Sequence, residues 1–312
     1  MIYLTLDIGG SAIKYGLIDD SMTFLEKGSI PAPTENKEQF LDSIYSFYEK
    51  YKGSISGIGI SMPGVINPEI GFAKTGGAFS FIKDMNLVEI LQERIPLPIT
   101  IGNDAKCAAY AELGFGCLKG GISDAVMIVL GTGIGGCLII DGKVHIGKSY
   151  ASGEFSCVST AKYCTQSEED EWCHENGSSG LLKSVQKSLN TTQQYTGKEI
   201  FEMANRNNPQ VLKGIDDFCN KLVRQIFNLQ AIFDPEMIAI GGGISKQPIL
   251  RKYINKYIEK MNSYYQNHDY PLNRPKVVIC QHGNDANLIG ALFQLKNMMK
   301  LYYKDDTVLE RK

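Results

Sequence analysis

Residues 1–19 have the sequence MIYLTLDIGGSAIKYGLID, and this stretch decides the fold. An apolar strand is followed by a tight turn and then by a second strand with alternating apolar residues. The turn contains Asp7, Gly9, Gly10 and Ser11. Its backbone N–H groups and hydroxyl can bind phosphate oxygens, and Asp7 can hold a hydrated Mg²⁺ nearby. A Walker loop would lead into a helix, whereas this chain continues as a hairpin. A purely structural turn that uses glycine for positive φ is the alternative interpretation.

Length and composition exclude several classes of protein. A chain of 312 residues predicts two domains with a cleft. Lys and Arg number 32 against 34 Asp and Glu, and no basic block is present, so we expect no nucleic-acid partner. The apolar runs are too short to cross a bilayer, which predicts a cytoplasmic protein without a membrane partner. Eight scattered cysteines favour reduced, buried thiols.

The chain is predicted to contain two similar halves. The N-terminal third has a βββαβ pattern, followed by a glycine-rich loop over 71–78 and a helix over 84–93. A strand, glycine turn and strand occur again over 125–140, as a two-lobed nucleotide clamp would need. We expect lobes over 1–117 and 118–285, a helix over about 286–301 that packs back on the first lobe, and a polar tail over 302–312.

Two further glycine clusters follow buried strands. Residues 131–136, GTGIGG, satisfy the GxGxxG pattern, but the chain continues as a strand rather than opening the helix of a dinucleotide fold. Thr132 and Gly133 therefore favour a second phosphate turn, with a structural turn as the alternative. Gly241, Gly242 and Gly243 would let the backbone lie against a planar ring and its ribose, although such loops often carry a glycine or two for local reasons.

Polar residues at two other places are candidates for chemistry. Asn103 and Asp104 lie between a buried strand and an alanine-rich helix, where open α/β sheets present ligand-binding residues. Simple capping of that helix is the alternative. A second group has residue types that bind zinc and comprises Cys157, Cys164, Cys173 and His174. Its spacing lacks the close ligand pairs of tetrahedral sites, so zinc is not favoured.

Five motifs in order carry a family resemblance. They are DIGG with Lys14 after it, MPG at 62–64, GNDA with AAYAE over 102–112, LGTGIGG at 130–136 and IGGGIS at 240–245. With them, residues 2 to about 295 resemble the ROK family of sugar kinases in the actin-like ATPase superfamily. The resemblance implies an α/β, two-lobed actin-like ATPase (ribonuclease H-like) fold, with a mixed sheet flanked by helices in each lobe and a central cleft. It also implies ATP, Mg²⁺, a small sugar substrate and a homodimer.

The resemblance assigns roles position by position. It implies that Asp104 is the catalytic base and that Asn103 and Glu154 bind the sugar, with Gly77 and Lys183 as further substrate-binding candidates. The ATP phosphates would be bound by Asp7, Gly9, Gly10, Ser11, Lys14, Thr132 and Gly133. The adenosine would lie against Gly241, Gly242 and Gly243. Asp7 would hold the Mg²⁺ through water.

The chain departs from the family pattern at the zinc segment, a Gly-His followed by CxCGxxGCxE. Cys157 stands at the histidine position, His174, Asn176 and Leu181 stand at cysteine positions, and Lys183 replaces the last glutamate. We therefore expect no zinc and an altered acceptor pocket. The loop from Gly71 to Asn86 is more similar to the zinc-free β-glucoside kinase branch than to typical glucokinases.

The favoured hypothesis is transfer of the ATP γ-phosphoryl group to a hydroxyl, most simply the 6-hydroxyl, of a hexose or β-glucoside. N-acetylmannosamine and fructose are alternative acceptors. A non-catalytic sugar-responsive regulator is another hypothesis, but relatives of that class carry a DNA-binding module for which residues 1–6 leave no room. An actin-like ATPase that acts on proteins is the third; Glu154 and the Asn103 and Asp104 pair suit a polyol better.

Overall fold

The computed structural model describes residues 1–161, 167 and 170–309, with the backbone alone from residue 301 on. The chain divides into two compact units. Unit 1 comprises Met1–Phe115, Ile146–Ala151 and the chain from Asp285, and unit 2 comprises Gly116–His145 and Ser152–Asn284.

Unit 1 is built on a five-stranded sheet and a small three-stranded sheet. The strands are β1 (Ile2–Ile8), β2 (Ala12–Asp19), β3 (Phe24–Pro31), β4 (Ile58–Met62), β5 (Ile66–Asn67), β6 (Phe72–Thr75), β7 (Lys83–Asn86) and β8 (Ile99–Asn103). The helices are α1 (Lys37–Tyr51), α2 (Leu87–Gln92), α3 (Asp104–Phe115) and α9 (Ala286–Leu309). The large sheet has the order β3-β2-β1-β4-β8, and the small one β5-β6-β7.

The burial of each element of unit 1 follows from its sequence. β1 is central and buried on both faces, whereas the edge strand β3 alternates between half-buried and exposed residues. Helix α1 begins where the Asn36 side chain accepts a hydrogen bond from the Gln39 N–H, and its apolar face is buried. α9 crosses α3 closely because Gly290 has no side chain: a Cβ there would lie 1.7 Å from the Cys107 carbonyl oxygen.

Unit 2 has a second five-stranded sheet. Its strands are β9 (Ala125–Leu130), β10 (Ile134–Ile140), β11 (Lys143–His145), β12 (Met237–Gly241) and β13 (Val277–Ile279). Its helices are α4 (Trp172–Glu175), α5 (Gly177–Leu189), α6 (Gly197–Asn205), α7 (Pro209–Phe233) and α8 (Pro248–Asn267). The core includes Trp172, Phe218 and Leu222, each at most 1% exposed. Full burial of such a side chain contributes about 1.5–3 kcal/mol.

The two large sheets have the same topology. In unit 2 the order is β11-β10-β9-β12-β13, with β9 and β10 antiparallel and β12 parallel to both β9 and β13. Unit 1 has the same pattern, since β1 and β2 are antiparallel and β4 runs parallel to β1 and β8. The repeated hairpin of the sequence is thus part of a repeated sheet.

The structure corrects the predicted elements between residues 71 and 93. The predicted glycine-rich loop contains β6, which pairs with β5 and β7. The predicted helix over 84–93 begins only at Leu87, because Asp84 has a φ of 48° and the Asn86 side chain caps the helix by accepting from the Glu89 N–H.

Two other boundaries also differ. β10 begins at Ile134, so Gly136 is a strand residue: a Cβ there would lie 2.0 Å from the Phe155 ring. The last helix, expected to end near residue 301, continues to Leu309, and its sequence after Gly290 contains no glycine or proline to end it. Among the described helices, none combines the length and apolar composition that a bilayer crossing requires.

Candidate active site

One edge of the unit 1 sheet gathers the predicted catalytic and phosphate-binding segments. β1, β4 and β8 are parallel, and Asp7 is in register with Ser61, which is in register with Gly102. Since the carboxyl ends of parallel strands meet at one edge, the turn after β1 and the start of α3 lie at that same edge. This is the position at which open α/β sheets bind ligands.

The turn after β1, the first predicted phosphate turn, is compact and solvent-facing. The Gly9 N–H donates to the Ala12 carbonyl at 2.9 Å and closes the turn, so Gly9 shapes the backbone rather than offering its own N–H. Gly10 and Ser11 are exposed. A Cβ on Gly10 would lie 3.1 Å from the Ala78 Cβ, so the turn also contacts the segment that follows β6.

Asp7 lies beneath this turn and is only 8% exposed. Its Oδ2 faces the Lys14 Nζ at 3.2 Å, and its Oδ1 accepts from the Asn287 Nδ2 at 2.8 Å. A carboxylate is the ligand type that Mg²⁺ prefers, and Mg²⁺ usually keeps several waters. Because both oxygens of Asp7 already have partners, this donor set fits a Mg²⁺ held through its hydration water. Lys14 is exposed and ion-paired to Asp7, which places its charge at the turn.

Asn103 and Asp104 occupy different positions relative to α3. Asn103 is the capping residue: its Oδ1 accepts from the Lys106 N–H at 3.2 Å, and its Nδ2 donates to the Gly64 carbonyl at 3.0 Å. Asp104 is the first residue of α3, is half-buried, and accepts from the Ala105 N–H at 2.8 Å. The capping role therefore belongs to Asn103, and the Asp104 carboxylate lies at the N-terminus of α3.

The neighbouring thiol of Cys107 is influenced by two of the predicted carboxylates. Cys107 is fully buried, and this burial raises the pKa of its thiol far above the usual range. The charges of Asp104 and Asp7 raise that pKa further. Both carboxylates therefore lie within electrostatic reach of one buried group, and Cys107 stays a neutral thiol that is unsuited to act as a nucleophile.

The loop before the small sheet contacts Asn103, and the loop between β6 and β7 contacts that first loop. Gly64 has a φ of 115°, and a Cβ there would lie 2.1 Å from the Thr75 carbonyl oxygen. Gly77 is exposed, has a φ of 59°, and lies against Pro63. Contacts thus link Gly77, Pro63, Gly64 and Asn103 in one cluster.

Unit 1 contains a further polar contact that could not be predicted from the sequence. The Asn67 side chain donates to the Tyr150 hydroxyl at 2.8 Å. Tyr150 belongs to the short return segment Ile146–Ala151 and has a φ of 63°, which is uncommon for an aromatic residue. The sequence gives no signal for this pair, since 83 residues separate them.

In unit 2 the start of α5 holds the second phosphate turn. The N–H groups of Ser178 and Ser179 donate to the carbonyls of Gly131 and Thr132 at 2.8 and 3.1 Å. Thr132 is exposed and Gly133 is half-exposed, so their remaining groups face solvent. The turn is therefore fixed from one side and open on the other.

The three glycines after β12 have different surroundings. Gly242 has a φ of 93°, and a Cβ there would lie 2.2 Å from the Leu130 carbonyl oxygen. Gly241 is buried against Cys280 and Met127, whereas Gly243 is exposed, and a Cβ added to it would meet no atom within 4 Å. Of the three glycines, Gly243 alone thus has open space beside it for a ligand.

A cavity of about 340 Å³ in unit 2 lies next to Gly243. The lining residues are Gly197, Lys198, Phe201, Glu202, Asn205, Gly243, Ile244 and Gln247. Its volume is at the lower end of the range for small-molecule sites. Residues of α6 in this lining were not predicted from the sequence. A larger cavity of about 620 Å³ in unit 1 lies at Pro98 and Ile99, the opposite end of β8 from Asn103, and its lining is mainly apolar.

Glu154 and Lys183, the remaining candidates, both belong to unit 2. Glu154 is half-buried and follows Gly153, whose φ of 77° lets the segment lie against β10 at Cys137. Lys183 is exposed on the second turn of α5, the helix whose start holds the second phosphate turn. The structure therefore places both candidates in the unit that carries this turn.

Two of the residues at the family's zinc positions, Asn176 and Leu181, lack a thiolate or imidazole group. Asn176 is fully buried; its Oδ1 accepts from the Trp172 Nε1 at 2.7 Å and its Nδ2 donates to the Phe218 carbonyl at 3.1 Å. Leu181 is a core residue. Zinc sites of this type need thiolate or imidazole groups at those places. His174, at a third of these positions, has ligand atoms within 4.8 Å of those of Glu171 and Cys173. Cys164 lies outside the described residues.

A comparison with known proteins shows which family the chain belongs to. The model of the ROK family matches residues 3–297. The chain belongs to the ROK family. The sequence-based identification and the predicted actin-like α/β fold class are thereby confirmed.

Relatives of this ROK protein include kinases with different acceptors. It is 27% identical to a β-glucoside kinase of Klebsiella pneumoniae, over 94% of this chain and 96% of the relative. It is 28% identical to an N-acetylmannosamine kinase of Vibrio cholerae, over 94% and 99%. Among solved structures, a ROK family protein of Streptococcus pneumoniae in complex with sucrose superposes with a TM-score of 0.83 at 29% identity, over 96% of this chain and 100% of that one.

Proposed function

We propose that this ROK protein is an ATP-dependent sugar kinase that transfers the γ-phosphoryl group to a hydroxyl, most simply the 6-hydroxyl, of a hexose or β-glucoside. The observation that carries the proposal is the common sheet edge in unit 1, where the Asp7 turn and Asp104 lie at the carboxyl ends of parallel strands. The names of the relatives support a sugar kinase.

In this proposal Asp104 is the general base. A sugar hydroxyl is a poor nucleophile at neutral pH, so a carboxylate must accept its proton as the bond to phosphorus forms. Asp104 is half-buried at the first position of α3, and Asn103 rather than Asp104 caps that helix. Asn103 would bind the sugar, and Gly77, which belongs to the same cluster, would approach it through the backbone. Glu154 and Lys183 would supply further acceptor contacts from unit 2.

Each unit carries candidate groups for ATP binding. The exposed Gly10 and Ser11, with Lys14, would bind phosphate oxygens from unit 1, and Thr132 and Gly133 would do so from unit 2. Asp7 would hold the Mg²⁺ through water; Mg²⁺ would neutralise negative charge on the phosphates when bound. The adenosine would lie against Gly243 and enter the adjacent cavity.

A β-glucoside is the acceptor class that we favour. The loop from Gly71 to Asn86 resembles that of the β-glucoside kinase branch, and a β-glucoside kinase is among the relatives that match nearly the whole chain. Lys183 stands where the family resemblance expects a sugar-contacting glutamate, so a pocket with Lys183 would differ from that of a kinase for free glucose. N-acetylmannosamine and fructose are the alternatives. We further propose a cytoplasmic location, where ATP is available, and a homodimeric state.

A coupled ADP-release assay with a sugar panel tests the proposal. The panel contains glucose, N-acetylmannosamine, fructose, cellobiose and a phenyl β-glucoside, with a no-sugar control. We expect ADP release that depends on sugar and is fastest with a β-glucoside. Protein-stimulated release without sugar would instead support an ATPase that acts on proteins, and sugar binding without ADP release would support a non-catalytic regulator.

A further inference from the structure

The second phosphate turn depends on the start of α5 for its position. The Ser178 and Ser179 N–H groups bind its carbonyls, and Gly177 lies so close that a Cβ there would be 2.3 Å from the Gly133 carbonyl oxygen. Any displacement of the first turn of α5 must therefore displace residues 131–133 as well. Contacts that hold the first turn of α5 in position therefore also hold the phosphate turn.

Asn176, the residue before α5, is attached to the core rather than to its own helix. Asparagine at this position normally accepts a hydrogen bond from the second or third N–H of the helix. The Asn176 side chain makes no such cap. Its oxygen accepts from the Trp172 indole, and its amide donates to the Phe218 carbonyl in α7. Both polar ends of this fully buried side chain thus tie the start of α5 to two other elements.

Trp172 extends this connection toward Glu154. The indole is 1% exposed, and its ring centroid lies 5.6 Å from that of Phe155, the residue after Glu154. The Phe155 ring in turn fills the space left by Gly136 in β10. Trp172 and Asn176 therefore contact the start of α5, which holds the second phosphate turn. Trp172 also contacts Phe155, the neighbour of the candidate sugar-binding residue Glu154.

We propose that Trp172 and Asn176 are positioning residues that set the place of the phosphate turn through buried hydrogen bonds, without a bound metal. The inference rests on the proposed function, in which Thr132 and Gly133 bind ATP. Asn176 and Leu181 stand where the family resemblance expects metal-binding cysteines, and here they form packed core instead. Such a buried pair specifies one geometry because breaking it leaves an unpaired polar group.

Two variants and a control test the positioning role. Trp172→Phe removes the indole N–H and keeps an aromatic ring, and Asn176→Ala removes both side-chain hydrogen bonds. Ile258→Ala, in the buried face of α8, is the control for general loss of core stability. For both test variants we expect KM for ATP to rise about tenfold or more. KM for the sugar should change less, and Ile258→Ala should lower Tm without raising KM for ATP.

Hydrogen exchange gives a readout that does not require activity. The peptide that contains residues 131–133 should exchange faster in Trp172→Phe than in the wild type, measured where both are folded by circular dichroism. The inference is overturned if exchange and KM for ATP stay within about twofold of wild type in Trp172→Phe. It is also overturned if the purified wild-type chain carries one equivalent of zinc and loses activity when a chelator removes it; we expect no such dependence. Absence of sugar-dependent ADP release from wild type would refute the proposed function, a result seen before any variant is made.

Discussion

The Asn103 side chain donates a hydrogen bond from Nδ2 to the Gly64 carbonyl at 3.0 Å. The same side chain caps α3 through its oxygen, so a single residue connects the strand β8, the helix α3 and the loop after β4. Gly64 cannot carry a side chain, because a Cβ would collide with the Thr75 carbonyl. The Asn103 side-chain amide and Gly64 therefore hold the backbone around the proposed sugar site in position.

Replacing Asn103 should separate stability from sugar binding. Asn103→Ala loses the helix cap and the bond to Gly64, so we expect a loss of about 0.5–2 kcal/mol in the free energy of unfolding. Asn103→Ser keeps a neutral oxygen that can cap α3 but loses the donor to Gly64. Its stability should lie closer to wild type, while KM for the sugar rises in both variants. Denaturant unfolding and steady-state kinetics measure the two effects; a normal sugar KM in both variants would contradict a sugar-binding role.

Asp104→Asn should abolish turnover and spare binding. An amide cannot accept the hydroxyl proton, and general-base catalysis contributes about 10²–10⁴-fold. We therefore expect kcat to fall by about that factor while the sugar Kd, measured by calorimetry, changes little. Asp269→Asn, an exposed substitution in unit 2, is the matched control. If Asp104→Asn retained more than about a tenth of kcat, the base would have to be another group.

The repeated hairpin could be predicted from the sequence because its signals are local. Alternating apolar residues on both sides of a glycine turn define β1 and β2, and again β9 and β10. The small sheet could not be predicted in this way. β5 has only two residues, Ile66 and Asn67, and its pairing partner comes after a turn.

The position of a candidate-site residue could be predicted from the sequence where its neighbours in the sequence determine it. Asn103 and Asp104 were placed correctly at the junction of a strand and a helix. Only the three-dimensional structure shows that Asn103 is the residue that caps α3. The cavity beside Gly243 combines α6 with the loop after β12, elements far apart in the sequence, so no local pattern marks it. Likewise the hydrogen bond between Trp172 and Asn176 could not be predicted from the sequence.

A surface cluster in unit 1 predicts a pH dependence of stability. The Glu26 Oε1 accepts from the hydroxyls of Tyr51 and Tyr15 at 2.7 and 3.0 Å and faces the Lys50 Nζ at 3.0 Å. The Tyr51 hydroxyl first, then Lys50 and Tyr15, lower the pKa of Glu26 below its usual 4.5. A lowered pKa means that the unfolded chain binds the proton more tightly, so the stabilisation exists above about pH 4.5 and is lost as the pH falls through the folded-state pKa.

Glu26→Gln should remove this dependence. We expect a lower Tm than wild type between about pH 6 and 8, a difference that shrinks below about pH 4.5 as Glu26 becomes protonated in the wild type. Thermal unfolding followed by circular dichroism at several pH values measures the difference. Glu49→Gln, on the exposed face of α1, serves as the control. A Tm difference that is the same at about pH 3 and pH 7 would show that the Glu26 charge has no part in it.

The glycines after β12 allow a matched pair of substitutions for the nucleotide site. Gly242→Ala puts a methyl group 2.2 Å from the Leu130 carbonyl at a φ of 93°, so we expect poor folding whatever the ligand. Gly243→Ala meets nothing within 4 Å, so its Tm should stay near that of wild type. If adenosine lies against Gly243, the added methyl group occupies ligand space, and KM for ATP should rise about tenfold with little change in KM for the sugar. A folded Gly243→Ala variant with normal ATP kinetics would place the adenosine elsewhere in unit 2.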